Sequence, residues 1–282
     1  MLTYPHINPI ALELGPLHVL GHALGPLRIH WYGIMYLVAF AAAWWLARRR
    51  AADPRSAWTA RDVDDFIFYA MLGTIVGGRV GYVLFYGEAA WRADPWYPLK
   101  LWEGGMSFHG GFLGVLTAVA IFARTRGWRV WDVFDFTAPL PGVGIFAVRI
   151  GNFINGELWG RPTDGWWGML VSDEPGGPLV ARHPSQLYEA GLEGALLFAI
   201  LWLYTRRPRW RYMPSALFLL CYSIARISVE FVRVPDVQLG YFAGDWLTMG
   251  QILSFPMLLA GIVLWVLARR WRQPSGNFKA AP

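Results

Sequence analysis

Seven stretches of this chain, at about residues 30–47, 63–86, 106–123, 131–149, 187–205, 213–232 and 247–268, are apolar over roughly the ~20 residues that a bilayer-crossing helix requires. No water reaches the hydrocarbon, so backbone amides there must be satisfied within the segment, which makes each run a helix. An apolar share of 55% with a positive mean hydropathy is too high for a soluble protein of 282 residues. The expectation is an all-α polytopic membrane protein with seven transmembrane helices. Basic residues follow the first run, and it lacks a small-residue cleavage site, so it reads as a retained span and not as a leader peptide. Residues 1–272 read as one integral membrane domain without internal repeats, and residues 273–282, "QPSGNFKAAP", as a flexible cytoplasmic tail.

Charge sets the orientation. The segments "ARRRAADPRSAWTAR", "ARTRGWR", "TRRPRWR" and "ARRWRQPSGNFK" carry 5, 3, 4 and 4 Lys/Arg, together 16 of the chain's 25, at alternate ends of successive runs. By the positive-inside rule all four are cytoplasmic, which puts the N-terminus outside and the C-terminus inside; seven runs satisfy this parity and six do not. The same bias accounts for a pI near 9.6. These basic residues sit in short flanking loops with no nucleic-acid-binding motif, so the partner they imply is the lipid bilayer and not a nucleic acid. The outer connections are rich in Gly, Pro and Trp, and 87–105, 150–186 and 233–246 are expected to form a small extracytoplasmic head. Most of the seventeen Trp lie near run ends, as an interfacial belt requires. The single cysteine, Cys221, excludes an intrachain disulfide and a cysteine zinc site, and reads as a small buried apolar residue.

The nine remaining basic residues (25 minus 16) lie within runs or in outer connections, where the inside rule does not explain them. A charge at membrane depth costs at least ~2.5 kcal/mol on insertion scales, so each is a functional hypothesis unless it snorkels to the interface. In "LCYSIARISVEFVRVPD", Tyr222, Arg226, Glu230 and Arg233 form one helical stripe at i, i+4, i+8 and i+11. Arg226 and Glu230 make either a structural intramembrane pair, or a guanidinium held by Glu230 and aimed at a phosphate. In "VRIGNFINGELWGRP", residues 148–162, Arg149 is followed by Asn152, Asn155, Glu157 and Gly160. Snorkelling accounts for the arginine but not for the amides and carboxylate beside it. Pro139 and Pro141 must kink or break the run before them.

The second run carries Gly73, Gly77 and Gly81, a small-residue face for close helix packing, beside Arg79. Arg79 either hydrogen-bonds a neighbouring span's carbonyls or helps line the cavity. In "GGMSFHGGFLG", glycines on both sides leave His109 accessible, and it is either structural or a proton acceptor. His30 and Tyr32 enter at the same outer level. There is no GxSxG, HExxH or nucleotide loop, so hydrolase, metalloprotease and NTPase chemistry lack their parts, and neither a cofactor nor a metal is expected. What remains is an outward-opening site of arginines, amides and hydroxyls suited to an anionic phospholipid headgroup. Two other classes stay open: a transporter, although its site would lie near the midplane between repeats, and a membrane scaffold indifferent to Arg149 and Arg226.

Taken in order, "HWYG", "GGRVGYVLFY", "GGMSFHGGFLG", "RIGNFINGELWGRP", "RHPSQLYEA" and "RISVEFVRVPD" closely resemble the bacterial phosphatidylglycerol–prolipoprotein diacylglyceryl transferase family, over about residues 28–270. The resemblance implies a seven-span inner-membrane enzyme with its active site toward the extracytoplasmic side. Such an enzyme moves the diacylglyceryl group of phosphatidylglycerol to the lipobox cysteine thiol in the signal peptide of a preprolipoprotein, forming a thioether and releasing glycerol phosphate. It also implies central roles for Arg149 and Arg226, and roles in activity or in lining the site for Tyr32, His109, Asn152, Glu157, Gly160, Tyr222 and Glu230. On this reading Arg149, Arg226 and His109 are catalytic, with His109 as base unless an arginine-stabilised thiolate needs none. Tyr32, Arg79, Asn152, Asn155, Glu157, Gly160, Tyr222 and Glu230 bind substrate. The connection at 163–182 is shorter than in some relatives, which bears on the substrate entrance. A monomer is the expectation.

Overall fold

The structure, a computed structural model, describes residues 1–19, 22–24, 26–172, 177–235, 240–244 and 246–278. Strands β1 (Leu2–Thr3), β2 (Ile10–Leu14), β3 (Leu17–Val19), β4 (His22–Leu24) and β5 (Leu27–His30) precede helix α1 (Trp31–Ala51). Helices α2 (Ala60–Phe85), α3 (Glu88–Ala93), α4 (Phe108–Thr125), α5 (Val130–Thr137) and α6 (Pro141–Asn155) follow. After β6 (Met169–Val171) and β7 (Val180–Arg182), one long helix consists of α7 (Ser185–Glu189), a π-helical turn (Ala190–Leu196) and α8 (Leu197–Tyr204), before α9 (Met213–Glu230) and α10 (Met249–Trp271).

Among the described residues five helices are long and apolar enough to cross a membrane: α2, α4, Ser185–Tyr204, α9 and α10. There are six if α5 and α6 count as one broken span. Their outward faces are apolar too: Phe68, Leu72, Leu84 and Phe85 on α2, and Leu259, Ile262, Val263 and Val266 on α10, are exposed, as helices bathed in lipid require. The chain is therefore a mostly helical, multi-pass membrane protein. Two of the seven runs depart from the expectation for physical reasons. Gly33, two tyrosines, three tryptophans and Arg48–Arg50 hold down the mean hydropathy of α1. The run 131–149 is interrupted at 138–140, where Pro139 and Pro141 prevent continuous helical bonding.

Short strands accompany the helices of this mostly helical chain. β1 runs parallel to β6, β6 antiparallel to β7, β2 pairs with β5 and β3 with β4. Strands of two to five residues carry too little alternation to stand out from loop sequence.

The chain divides into two compact units, Met1–Ala43 with Ala138–Gln273, and Trp44–Thr137 with the segment from Pro274 onward. In the second unit Thr59 and Asp62 form a capping box that starts α2. Gly73, Gly77 and Gly81 then lie against Gly110 and Gly114 of α4. A Cβ on Gly77 would sit 2.7 Å from the Gly114 Cα, and one on Gly81 2.8 Å from the Gly110 Cα, so the two helices meet backbone to backbone.

In the same unit residues 275–277 are docked by hydrogen bonds. Ala57 N–H donates to the Asn277 carbonyl at 2.8 Å, the Trp58 indole N–H to Asn277 Oδ1 at 2.9 Å, and Gly276 N–H to Asp132 Oδ1 at 2.9 Å. Ser275 and Asn277 are buried, and Trp58 stacks on Phe136 with centroids 3.9 Å apart. A Pro-Ser-Gly-Asn sequence looks disordered by composition, yet here it completes the hydrogen bonds of a buried indole and carboxylate; 279–282 lie outside the described residues. Asn277→Ala is expected to leave the Trp58 N–H unpaired and to lower stability by about 1–3 kcal/mol, read as a lower melting temperature in detergent.

Candidate active site

Helix α6 ends at Gly156 in the left-handed conformation (φ 69°), where a side chain would be strained. The Tyr4 hydroxyl meets the carbonyls of Phe153 and Ile154 at 2.8 and 2.9 Å, satisfying groups the helix end leaves open. The turn folds Glu157 back. Its N–H donates to the Asn152 carbonyl at 3.2 Å, and its carboxylate accepts Asn152 Nδ2 at 2.8 Å and Asn155 Nδ2 at 3.3 Å. Asn152 Oδ1 in turn accepts Arg149 Nη1 at 3.3 Å. Tyr32 closes this wall: a Cβ on Gly151 would lie 3.3 Å from its ring, and its hydroxyl pairs with that of Tyr36 at 3.3 Å.

Arg149 and Arg226 leave different helices and converge on one oxygen. Arg149 Nη2 lies 2.5 Å and Arg226 Nη1 3.0 Å from Glu189 Oε2. Arg226 also reaches Glu193 Oε1 at 3.5 Å and Glu230 Oε1 at 2.5 Å. Glu230 accepts Arg233 Nη1 at 3.2 Å and the Thr248 hydroxyl at 2.6 Å, at the start of α10, where the helix dipole favours an anion. Tyr222, one turn before Arg226, stacks on Phe218. Glu189, Glu193 and Glu230 are 0, 1 and 2% exposed. Three guanidiniums and three carboxylates thus cancel formally inside an apolar bundle, an arrangement whose desolvation is offset only while every partner is present.

Glu189 and Glu193 were not singled out in the sequence, although two acids four residues apart within the apolar run 187–205 meet the rule for intramembrane charges. The π turn lets both reach one guanidinium, and such turns recur at functional sites. Close crossing with α6 supplies the rest: a Cβ on Gly194 would lie 2.8 Å from the Phe146 Cα, so α6 and the π turn touch by backbone, and Arg149 can reach Glu189.

Beside this cluster three chain segments join. Gly160 N–H donates to the His183 carbonyl at 2.9 Å, Arg161 N–H to the Val232 carbonyl at 2.8 Å, and His183 N–H to the Arg161 carbonyl at 3.0 Å. A Cβ on Gly160 would lie 2.5 Å from the Val232 oxygen and 2.8 Å from the His183 Cβ, so packing alone requires glycine here. Gly160→Ala is expected to force the segments apart and lower stability by about 1–3 kcal/mol, measured as a drop in melting temperature.

Burial holds the His183 imidazole below the ordinary histidine range, and its Nδ1 lies 3.1 Å from the Tyr188 hydroxyl. The unfolded chain binds that proton more readily, so stability is full above about pH 6.5 and falls on acidification below it, toward the lower folded value. Melting temperatures measured from about pH 7.5 down to 5 are expected to show this slope and to lose part of it in His183→Asn.

Arg79 and His109 belong to the other compact unit. Arg79 is 3% exposed and donates to the carbonyls of Tyr97, Pro98, Lys100, Gly104 and Gly105. These carbonyls belong to the 97–105 connection and not to a neighbouring span. His109 stands exposed in the first turn of α4, after Ser107 caps the helix through the Gly110 N–H at 3.2 Å.

Fold and site together define a multi-pass helical membrane protein with a buried arginine–glutamate cluster among its apolar helices. The sequence matches the prolipoprotein diacylglyceryl transferase family over residues 19–267, and the chain belongs to that family. Its relatives include the phosphatidylglycerol–prolipoprotein diacylglyceryl transferase of Solidesulfovibrio magneticus, 54% identical over 96% of this chain and 97% of its own length. The proteins of the same name from Azotobacter vinelandii and Nitratidesulfovibrio vulgaris are 53% and 52% identical, covering 96% and 98% of this chain and 99% and 98% of their own lengths.

Proposed function

We propose that this chain transfers the diacylglyceryl group of phosphatidylglycerol to the lipobox cysteine thiol of a preprolipoprotein. The observation that carries the reading is the convergence of Arg149 and Arg226 on a single carboxylate oxygen, the geometry in which two guanidiniums share an anion. The thiol loses its proton, an S–C bond forms, and the C–O bond to phosphorus breaks with its electron pair staying on the phosphate oxygen. The products are a thioether and glycerol phosphate. Arg149 and Arg226 hold the phosphodiester and stabilise the charge that grows on the leaving oxygen. Asn152 and Asn155, tied to Glu157, and Tyr32 with Tyr222 shape the headgroup site, while Glu230 orients Arg226. His109 is the proposed base. Gly160 contributes by letting the segment beside the site pack, and Arg79 by holding the 97–105 turn.

On this reading the chain sits in the bacterial inner membrane with seven spans, α1 and the broken α5–α6 pair included. The N-terminus lies outside, and residues 87–105, 150–186 and 233–246 form an outer head in one membrane domain; 173–176, 236–239 and 245 lie outside the described residues. It works as a monomer without metal or cofactor, on phosphatidylglycerol and a lipobox signal peptide. The test is mass spectrometry of a lipobox peptide incubated with phosphatidylglycerol and purified protein. A diacylglyceryl thioether supports the reading. Unmodified peptide from folded protein, with lipid moved but chemically unchanged, would replace it with the transporter. His109 leaves the mechanism if His109→Gln retains the wild-type rate and pH profile.

A further inference from the structure

The arginine cluster contains one carboxylate more than is needed to hold Arg226 in place. Arg226 is already fixed by Glu189 on one side and Glu230 on the other. Glu193 adds a third carboxylate, yet neither of its oxygens accepts a hydrogen bond from the described residues, and Glu189 Oε1 accepts none either. Buried carboxylates normally have such partners, so one without them calls for another reason to be there. Its charge supplies that reason. The three guanidiniums of Arg149, Arg226 and Arg233 are matched in number by the three carboxylates of Glu189, Glu193 and Glu230, which share them in one network, and burial protects the balance from salt.

We propose that the three glutamates form a built-in counter-charge that lets the arginines hold a phosphodiester monoanion but not retain a phosphomonoester dianion. This rests on the transfer reading above, in which C–O cleavage converts the first into the second while the thiol proton leaves separately. A clamp with excess positive charge would bind the product more tightly than the substrate and stall. A neutral clamp recognises the diester by guanidinium hydrogen bonds and gains nothing further from the second charge. Glu193 acts through Arg226 and the local field, as a positioning and charge-balancing residue.

The experiment uses full-length protein in detergent and titration calorimetry at about pH 8, where a phosphomonoester is a dianion, its second proton having left near ~6. Glycerol 1-phosphate is the dianion, and glycerophosphoglycerol, the deacylated headgroup, the monoanion. Wild type is expected to bind the dianion no more tightly than the monoanion. Because a Coulomb contribution scales with ligand charge, Glu193→Gln should tighten the dianion about tenfold and the monoanion only about threefold. Wild type that prefers the dianion tenfold, or a variant that shifts both ligands equally or neither, overturns the proposal. The wild-type comparison decides alone if the variant does not fold. The transfer assay separates the two claims: absent transfer by wild type removes both, whereas active wild type with the wrong binding ratios removes only the counter-charge.

Discussion

Arg226→Gln is expected to lower diacylglyceryl transfer by about 10²–10³, the usual consequence of removing one donor aimed at developing negative charge. The same change leaves Glu189, Glu193 and Glu230 sharing two guanidiniums in place of three, so it should also destabilise the fold by about 3–5 kcal/mol, as broken buried pairs do. Arg226→Lys retains the charge but not the planar fork that reaches Glu189 and Glu230 from two nitrogens, and should recover stability more than rate. Rates corrected for the folded fraction separate the two effects. A corrected rate within about threefold of wild type, against a loss of this size, would remove Arg226 from the chemistry.

The second large effect lies in packing. Gly114→Val places a branched side chain where a Cβ alone would meet the Gly77 Cα at 3.0 Å and press on the Gly73 carbonyl. Helices in lipid associate by backbone approach at small residues, without a hydrophobic drive to compensate, so α2 and α4 would have to separate. We expect a loss of at least about 3 kcal/mol and a failure to recover monodisperse protein on size exclusion. Gly33→Ala and Gly191→Ala, where no heavy atom stands within 4 Å of the added Cβ and φ is not positive, should purify normally.

The sequence reveals most where a single physical constraint acts. Apolar length located five long helices, and proline at 139 and 141 located the break before α6. Glycines at 73, 77 and 81 marked the helix face that packs most closely. The stripe at Tyr222, Arg226 and Glu230 was readable because α9 carries all three, whereas Arg233 lies beyond the helix end, bridged to Gly160. Glu189 and Glu193 were not, since their partners stand some 37 and 33 residues away on α9, and nothing local connects them until the fold does. The docked tail was hidden for the same reason: Asn277 finds the Trp58 indole 219 residues distant. Short strands at 2–30 and 169–182 carry too few residues to show a period. Gly160 was legible as important, but its packing partners, Val232 and His183, appear only in three dimensions.

The claim at the centre of this account is that Arg149 and Arg226 act on one phosphate. Transfer rates of Arg149→Gln, Arg226→Gln and the double variant, each corrected for folded protein, measure it most directly. If the two guanidiniums share one anion, the double variant should lose little more than the worse single variant, because either change breaks the same clamp. Losses that multiply, with the double variant slower by the product of the two single factors, would mean independent sites and contradict it.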